Sequence, residues 1–422
     1  MEKIICSLEE WDSIFNYYRP NGSSKTWYIK ELKGLSIPLM WGVWNVFTED
    51  GEMFGEGHLR NAITPTHSSL IEYTPIDEIG DNPHIYIINV YSHQFFGLNK
   101  DLGFSCMSEK YINDVRNGKA KILLLFIYEG YSGTKGNDDY TMIDEWRKQI
   151  GFPVDSVYYV CGNLLSDKIV KEKGLGIQAR GVHYFEPWNK YHGGIVDYNP
   201  IDEKYLFLSY NRQPRYQRIR FMMDLFEQKL IDKGLISLSK INGSPYLMGP
   251  EMTEFFTTKL PLVIDEDLNL QYNLACNITP RDFERTFISV VTETLVDDNT
   301  LFFSEKIWKP IMVGHPFMVY GNQYSLQYLK SLGYKTFDRW VDESYDLEPD
   351  RDVRSKMIVN ELCKLNLKSI DELKKIREEM FEVCEHNHNH YKTTYIEKYG
   401  DNDQNKTIRD ILLEMWGDLN NE

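Results

Sequence analysis

Along the first half of the chain, short apolar runs recur, separated by polar stretches. "HIYIINVYS" (84–92), "AKILLLFIYEG" (120–130) and "SVYYVCG" (156–162) are strand-length and end in glycine or small polar residues. Short apolar runs without strict alternation are the mark of strands covered on both faces. Between the last two, "YTMIDEWRKQIG" (140–151) spaces its apolar residues as a helix does and stops at a glycine. Buried strands alternating with helices predict a parallel sheet of the α/β class. The segment before residue 80 is less readable, and "TWYIKELKGLSIPLMWGVWNVF" fits a hairpin or irregular strands.

A Gly-, Pro- and Asp-rich break, "EPWNKYHGGIVDYNPIDE" (186–203), precedes a second series. It opens with the strand "KYLFLSY" (204–210) and a helix expected from Pro214 to about Lys233, closed by Gly234. Further strands are expected at "LISLS" (235–239), "LPLVID" (260–265), "TFISVVTET" (286–294) and "PFMVYG" (316–321). From about Arg354 the spacing is helical to the end. The predicted fold is therefore α/β, in two Rossmann-like domains facing a cleft, with a helical C-terminal tail. The expected boundaries are 1–200, 201–353 and 354–422, the tail packing partly back on the first domain.

Length and composition agree with two cores: 422 residues, 42% hydrophobic and 14% aromatic. A formal charge of −16 makes the average surface repel nucleic acid and anionic lipid, so a polyanionic partner would need a local basic groove. The longest apolar run, "ILLLFI" (122–127), is far too short to span a bilayer. "MEKIICSLEEWDS" has none of the regions of a signal peptide, and six scattered cysteines show no CxxC spacing. Reduced thiols and a cytoplasmic location are expected. Four alanines against abundant Asn, Lys, Ile and Tyr hint at an AT-rich, phage-like coding sequence, which would make that cytoplasm the host's.

Candidate chemistry concentrates in the second half. "SYNRQPRYQRIRF" carries Arg212, Arg215, Arg218 and Arg220 directly after a predicted strand, with Tyr216, Ile219, Met223 and Phe226 as the apolar stripe of the helix that follows. Cations at a helix start oppose the macrodipole by about 0.3–1 kcal/mol each. An anion there would instead meet free backbone N–H groups and guanidinium forks together. Arg212 and Arg215, at the strand-to-helix turn, are the candidates; Arg218 and Arg220 are expected to pair with surface carboxylates. In "FFSEKIWKPIMVGHPF" (302–317), Ser304 is a candidate N-cap with Glu305 and Lys306 in the first turn. Ile307, Trp308 and Ile311 face inward, Pro310 requires a short or kinked helix, and Gly314 ends it. A carboxylate there could take two ribose hydroxyls, or simply stabilise the dipole; Lys306 or Lys309 could neutralise a diphosphate.

"VVTETLVDDNTLFFSEKIWKPIMVGHPFMVYG" resembles the donor-domain signature of fucosyltransferase-like glycosyltransferases of GT-B architecture. There a strand ending near a Glu is followed by a [ST]-E-K helix start and a G-x-P-F-type strand. "LSYNRQPRYQR" is similar to the arginine-bearing turn that opens that domain, and "LGYKTFDRWVDESYD" (332–346) fits the same extended family. The resemblance covers about residues 204–350, and the Lys309–Pro310 pair departs from the usual pattern. It implies a UDP- or GDP-sugar as co-substrate, with no further cofactor required. It also implies that Asn211, Arg212, Arg215, Glu293, Ser304, Glu305, Lys306 and Lys309 line the donor site: the arginines and Lys306 toward the diphosphate, Glu305 toward the ribose, Glu293 near the sugar or ribose.

An acceptor hydroxyl needs a base. Glu129 in "IYEGYSG" (127–133) is the preferred candidate and His93 in "NVYSHQ" (89–94) the reserve, each just past a predicted strand. A hydroxymethylated base of phage DNA is one acceptor, with the arginine turn and "RNGKAK" (116–121) as a local positive strip. The alternatives are a glycan or lipid-linked acceptor, or a nucleotide- or glycan-binding protein without turnover. His386 and His390 in "HNHNH" sit one helical turn apart without a third ligand, so a solvated or capping role is expected rather than a metal site. The acidic "DED" (265–267) and "DD" (138–139) have only a superficial likeness to an Asp-x-Asp metal motif.

Overall fold

The apolar runs that end in small residues form strands of parallel sheets. The computed structural model describes residues 4–8, 46–47, 53–54, 71–75, 79–89, 109–126, 139–183, 194–196, 205–240, 249–262, 278–296, 300–399 and 406–420. The chain divides into two units, Met1–Val182 with Lys398–Glu422, and His183–Glu397.

The first unit holds β1 (Ile4–Leu8), β4 (Ile71–Pro75), β5 (His84–Asn89), β6 (Ala120–Phe126), β7 (Val157–Cys161) and β8 (Gln178–Gly181). They form one sheet in the order β4-β1-β5-β6-β7-β8, parallel throughout. β2 (Val46–Phe47) and β3 (Met53–Phe54) make a separate antiparallel pair. Connecting helices are α1 (Glu109–Arg116), α2 (Asp139–Ile150) and α3 (Ser166–Lys173). Ile122, Leu123 and Leu124 are all buried although they point to alternate faces, as the unbroken apolar run required. The cations of 116–121 are matched rather than free. Arg116 donates to the Ile150 carbonyl, Lys119 meets Asp81 at 2.6 Å, and Lys121 meets Asp418 at 2.7 Å. The positive strip expected there is not an open one.

The second unit has β9 (Phe207–Tyr210), β10 (Gly234–Ser237), β11 (Ile288–Thr292) and β12 (Phe317–Tyr320), all parallel, in the order β10-β9-β11-β12. Its helices are α4 (Tyr216–Glu227), α5 (Pro250–Lys259), α6 (Pro280–Glu284), α7 (Glu305–Val313), α8 (Ser325–Ser331), α9 (Arg351–Asn366) and α10 (Ile370–Tyr399). Of the strand expected over 260–265, the described part makes one antiparallel bridge, Leu262 to Leu238. α11 (Lys406–Asn420) belongs to the first unit: its Asp418 accepts from Lys121 and Tyr158, and its Glu414 pairs with Arg180.

The helix after β9 is shorter than expected. It starts at Tyr216, so Pro214 precedes it, and it ends at Glu227, where Lys229 turns the chain with φ +56° and Leu230 N–H bonds back to the Leu225 carbonyl at 2.9 Å. Gly234 does not close this helix but begins β10. A Cβ there would lie 2.4 Å from the Phe207 ring, so the position is small because two strands pack through it. The apolar stripe also understates α4. Gln217, Arg218, Ile219 and every residue from Phe221 to Leu225 are buried, because α9 covers the outer side through Asp352 to Tyr216 (2.8 Å) and Ser355 to Asp224 (2.6 Å).

Between β9 and β11 the strand order of this sheet reverses, since β10 adds on one side and β11 on the other. In open parallel sheets such a reversal opens a crevice beyond the strand carboxyl ends, where neighbouring connections part in opposite directions. Asn211 and Glu293 are the residues that follow β9 and β11.

Candidate functional site

Asn211 carries β9 into the α4 turn. Its backbone N–H donates to Ser237 Oγ at 3.1 Å, its Nδ2 donates to Ser209 Oγ at 3.1 Å, and its Oδ1 accepts from the Thr292 hydroxyl. The buried carboxamide thus ties β9 to β11, and the backbone ties both to β10, which leaves little of the side chain for a ligand. Arg212 is exposed, and its carbonyl accepts from Ser239 N–H at 3.1 Å. Arg215 is the N-cap residue of α4, with extended backbone and no side-chain cap; the first turn holds no acidic residue. Gln217 donates to the carbonyls of Glu293 (3.4 Å) and Thr294 (2.7 Å), which ties the start of α4 to the end of β11.

Glu293 is fully buried. Its Oε2 accepts from the N–H groups of Thr294 and Ser304, each at 3.2 Å, and from the Ser304 hydroxyl at 2.5 Å, while its Oε1 has no partner among the described residues. Burial pushes the Glu293 carboxyl above its usual range, and the Lys306 charge and the Ser304 donors pull it back only in part. Gly321, at the end of β12, packs against it: a Cβ there would meet Glu293 Cγ at 3.5 Å.

Ser304 caps α7 as its sequence position requires, accepting from Lys306 N–H at 3.4 Å. Lys306 Nζ donates to Glu305 Oε1 at 2.6 Å, to Ser304 Oγ at 3.1 Å and to Thr294 Oγ1 at 3.4 Å. Burial acts to raise Glu305, but the Lys306 and Lys309 charges outweigh it and hold the carboxyl below its ordinary value. Lys309 lies over the Tyr210 ring, 5.6 Å from its centroid, at the end of β9. Lys306, Lys309 and Pro310 line a small recess with Tyr210 and Phe283. The helix is nine residues long and carries Pro310 within it. Gly314 closes it at φ +66°, its N–H bonding to Ile311 at 3.2 Å and that of His315 to Pro310 at 2.8 Å.

The residues expected to line a donor site thus gather on contiguous elements: the start of α4, the end of β11 and the start of α7. What this edge can do chemically is bind an anion with fixed cations and accept hydrogen bonds from hydroxyls at Glu293 and Glu305. The arginines expected to pair with surface carboxylates separate. Arg220 pairs with a carboxylate, but its near partner is the buried Asp224 at 2.5 Å, the exposed Glu227 lying at 3.9 Å. Arg218 does not: it is buried and has no carboxylate at ion-pair distance among the described residues. Its place three residues after Arg215, on the same helix face, was the available signal. A second residue not anticipated is Arg354 on α9, which donates to the carbonyls of Val296, Gly321, Glu348 and Pro349 and fixes the ends of the loops after β11 and β12.

Glu129 and His93 lie outside the described residues, as do Asp138 and residues 265–267. His386 and His390 stack on each other and bond to the Gly333 and Leu332 carbonyls at 2.9 and 2.7 Å, so they cap the end of α8. Among the described residues no group of three or more His, Cys, Asp or Glu is placed to hold a metal ion, and no helix is long and apolar enough to cross a membrane.

No family model and no curated protein matches the chain. Among solved structures it is similar to a DNA-modifying β-glucosyltransferase studied with and without uridine diphosphoglucose, at 9% identity and TM-score 0.35, over 83% of this chain and 87% of that one. Two structures of the T4 phage β-glucosyltransferase, one in complex with its UDP-glucose substrate, match at 12% identity with TM-scores 0.33 and 0.32, each over 82% of this chain and 87% of the other. At these scores the likeness carries no weight for function.

Proposed function

We propose that this chain is a nucleotide-sugar-dependent glycosyltransferase of GT-B architecture, fucosyltransferase-like in its donor half. It would move a sugar from a UDP- or GDP-sugar to an acceptor hydroxyl. The observation that supports the reading best is the cation-rich edge at the strand-order reversal. Two helix starts meet there around Glu293 and Glu305, and Arg215, Lys306 and Lys309 sit on or beside those starts.

In this reaction the bond between the anomeric carbon and the diphosphate oxygen breaks, and its electron pair leaves with the diphosphate. Pre-placed cations stabilise that developing charge without reorganising, which is the largest contribution such a site makes to rate. Arg212 and Arg215 face the diphosphate; Lys306 turns to it from its present bond with Glu305, freeing Glu305 for the ribose hydroxyls. The acceptor oxygen forms the new bond to the anomeric carbon and gives its proton to a base, for which Glu129 is proposed and His93 held in reserve. A hydroxymethylated DNA base is the acceptor put forward, with a glycan or lipid-linked hydroxyl as the alternative.

The test is calorimetric titration of UDP- and GDP-sugars into wild type, Arg215→Ala and Glu305→Ala. Each substitution is expected to weaken binding at least tenfold, about 1.4 kcal/mol. Unchanged affinity in both would overturn the reading. Glu129→Gln should abolish transfer to hydroxymethylcytosine DNA or to a glycan while sparing donor affinity; an unchanged rate retires that base.

A further inference from the structure

Within the proposed donor site one group remains unaccounted for. Arg218 is only 3% exposed, yet among the described residues its single hydrogen bond is from Nη1 to the Gln213 carbonyl at 3.0 Å, and its Nε has no partner there. A long helical side chain folds back toward the N-terminus of its helix, and the bond to Gln213, which precedes α4, shows that this one does. Its guanidinium therefore lies across the start of α4, where backbone N–H groups and the macrodipole already make the potential positive. Arg215 adds a second positive charge nearby, and Glu305 and Glu293 are the acidic groups within electrostatic reach.

Glu305 is engaged with Lys306, and Glu293 through Oε2 with Ser304 and two backbone N–H groups, its Oε1 having no hydrogen-bond partner among the described residues; neither carboxylate lies at ion-pair distance from Arg218. Burial and the Arg215 charge together depress Arg218 to about 10. A buried cation is ordinarily paired and fully hydrogen-bonded, because its lost hydration must be compensated. This one is buried with one hydrogen bond, to the Gln213 carbonyl, and no carboxylate at ion-pair distance among the described residues. A dianion at the start of α4 would supply both the missing charge and acceptors for the open donors.

We propose that Arg218 is a diphosphate-binding residue, the interior partner of Arg215. The pair grips the two phosphate groups of a nucleoside diphosphate, so the site selects diphosphates over monophosphates. This rests on the donor-site reading above and deepens it.

The experiment titrates inorganic pyrophosphate, UDP, GDP, their monophosphates and the nucleosides into the full chain, as wild type, Arg218→Gln, Arg218→Lys and Arg215→Ala. One charge-assisted hydrogen-bonding group corresponds to roughly a tenfold to hundredfold change in affinity. Arg218→Gln is expected to weaken pyrophosphate and the cognate nucleoside diphosphate by that factor, to leave the nucleoside unchanged, and to flatten the salt dependence of binding. Arg218→Lys, which keeps the charge but loses the fork, should fall between. If Arg218→Gln does not fold, the lysine variant decides. A folded variant with the wild-type preference for diphosphate over monophosphate overturns the proposal and leaves Arg218 as a structural tie to Gln213. Should Arg215→Ala also leave binding unchanged, the donor site itself is at fault; if Arg215→Ala weakens binding and Arg218 variants do not, only this inference falls.

Discussion

Removing one hydroxyl, in Ser304→Ala, tests how the start of α7 is built. Ser304 is 1% exposed and does two jobs at once: it caps the helix, and it donates to the buried Glu293 carboxylate. Loss of an N-cap costs about 1 kcal/mol, and loss of a hydrogen bond to a buried charged group about 1.5–3 kcal/mol. Since one oxygen serves both, the terms do not simply add, and about 2–3 kcal/mol is expected. For a unit of this size that corresponds to a fall in Tm of about 4–12 °C. The loss should also depend on pH. A carboxyl raised by burial, as Glu293 is, contributes stability that is complete below its unfolded value near 4.5 and is lost as pH rises through the higher folded value. Ser304 opposes this by favouring the ionised form, so the variant should lose more at pH 8 than at pH 5. Scanning calorimetry at both pH values, with hydrogen exchange at α7 amides and Ser304→Thr as control, measures it. A loss below about 0.5 kcal/mol, or an equal loss at the two pH values, would refute the coupling of cap and carboxylate.

Two further substitutions probe the scaffold. Arg354→Met should cost about 3 kcal/mol or more in urea unfolding, because four loop carbonyls lose their donor together; a change under about 1 kcal/mol would mean that water replaces the guanidinium. His390→Ala should cost about 1 kcal/mol through the lost bond to Leu332 and should leave the response to added zinc flat, as in wild type; a zinc-dependent rise in Tm abolished by this substitution would contradict the capping role.

Strands β5, β6, β7 and β9 to β12, the helix of "YTMIDEWRKQIG", and α7 with its cap and its glycine stop follow from residues adjacent in the chain, whereas β1, β4 and β8 were not read from it. Burial on both faces selects the composition of β6, β7, β11 and β12 directly, and Ser304, Lys306, Pro310 and Gly314 act within a few residues of one another. Positions whose partners are distant were not legible. Gly234 looked like a helix stop, yet it is small because the Phe207 ring packs on it from a neighbouring strand. α4 looked half-exposed until α9, more than a hundred residues later, covered it. The sharpest case is a pair of arginines two residues apart. Arg220 meets Asp224 one turn along its own helix, a contact set by local spacing. Arg218 finds its electrostatic setting in Glu293 and Glu305, which only the reversal of strand order beside β9 brings near it. Local backbone geometry decides what a residue's chain neighbours can do, whereas the charge around a buried side chain is a sum over groups that the fold alone collects.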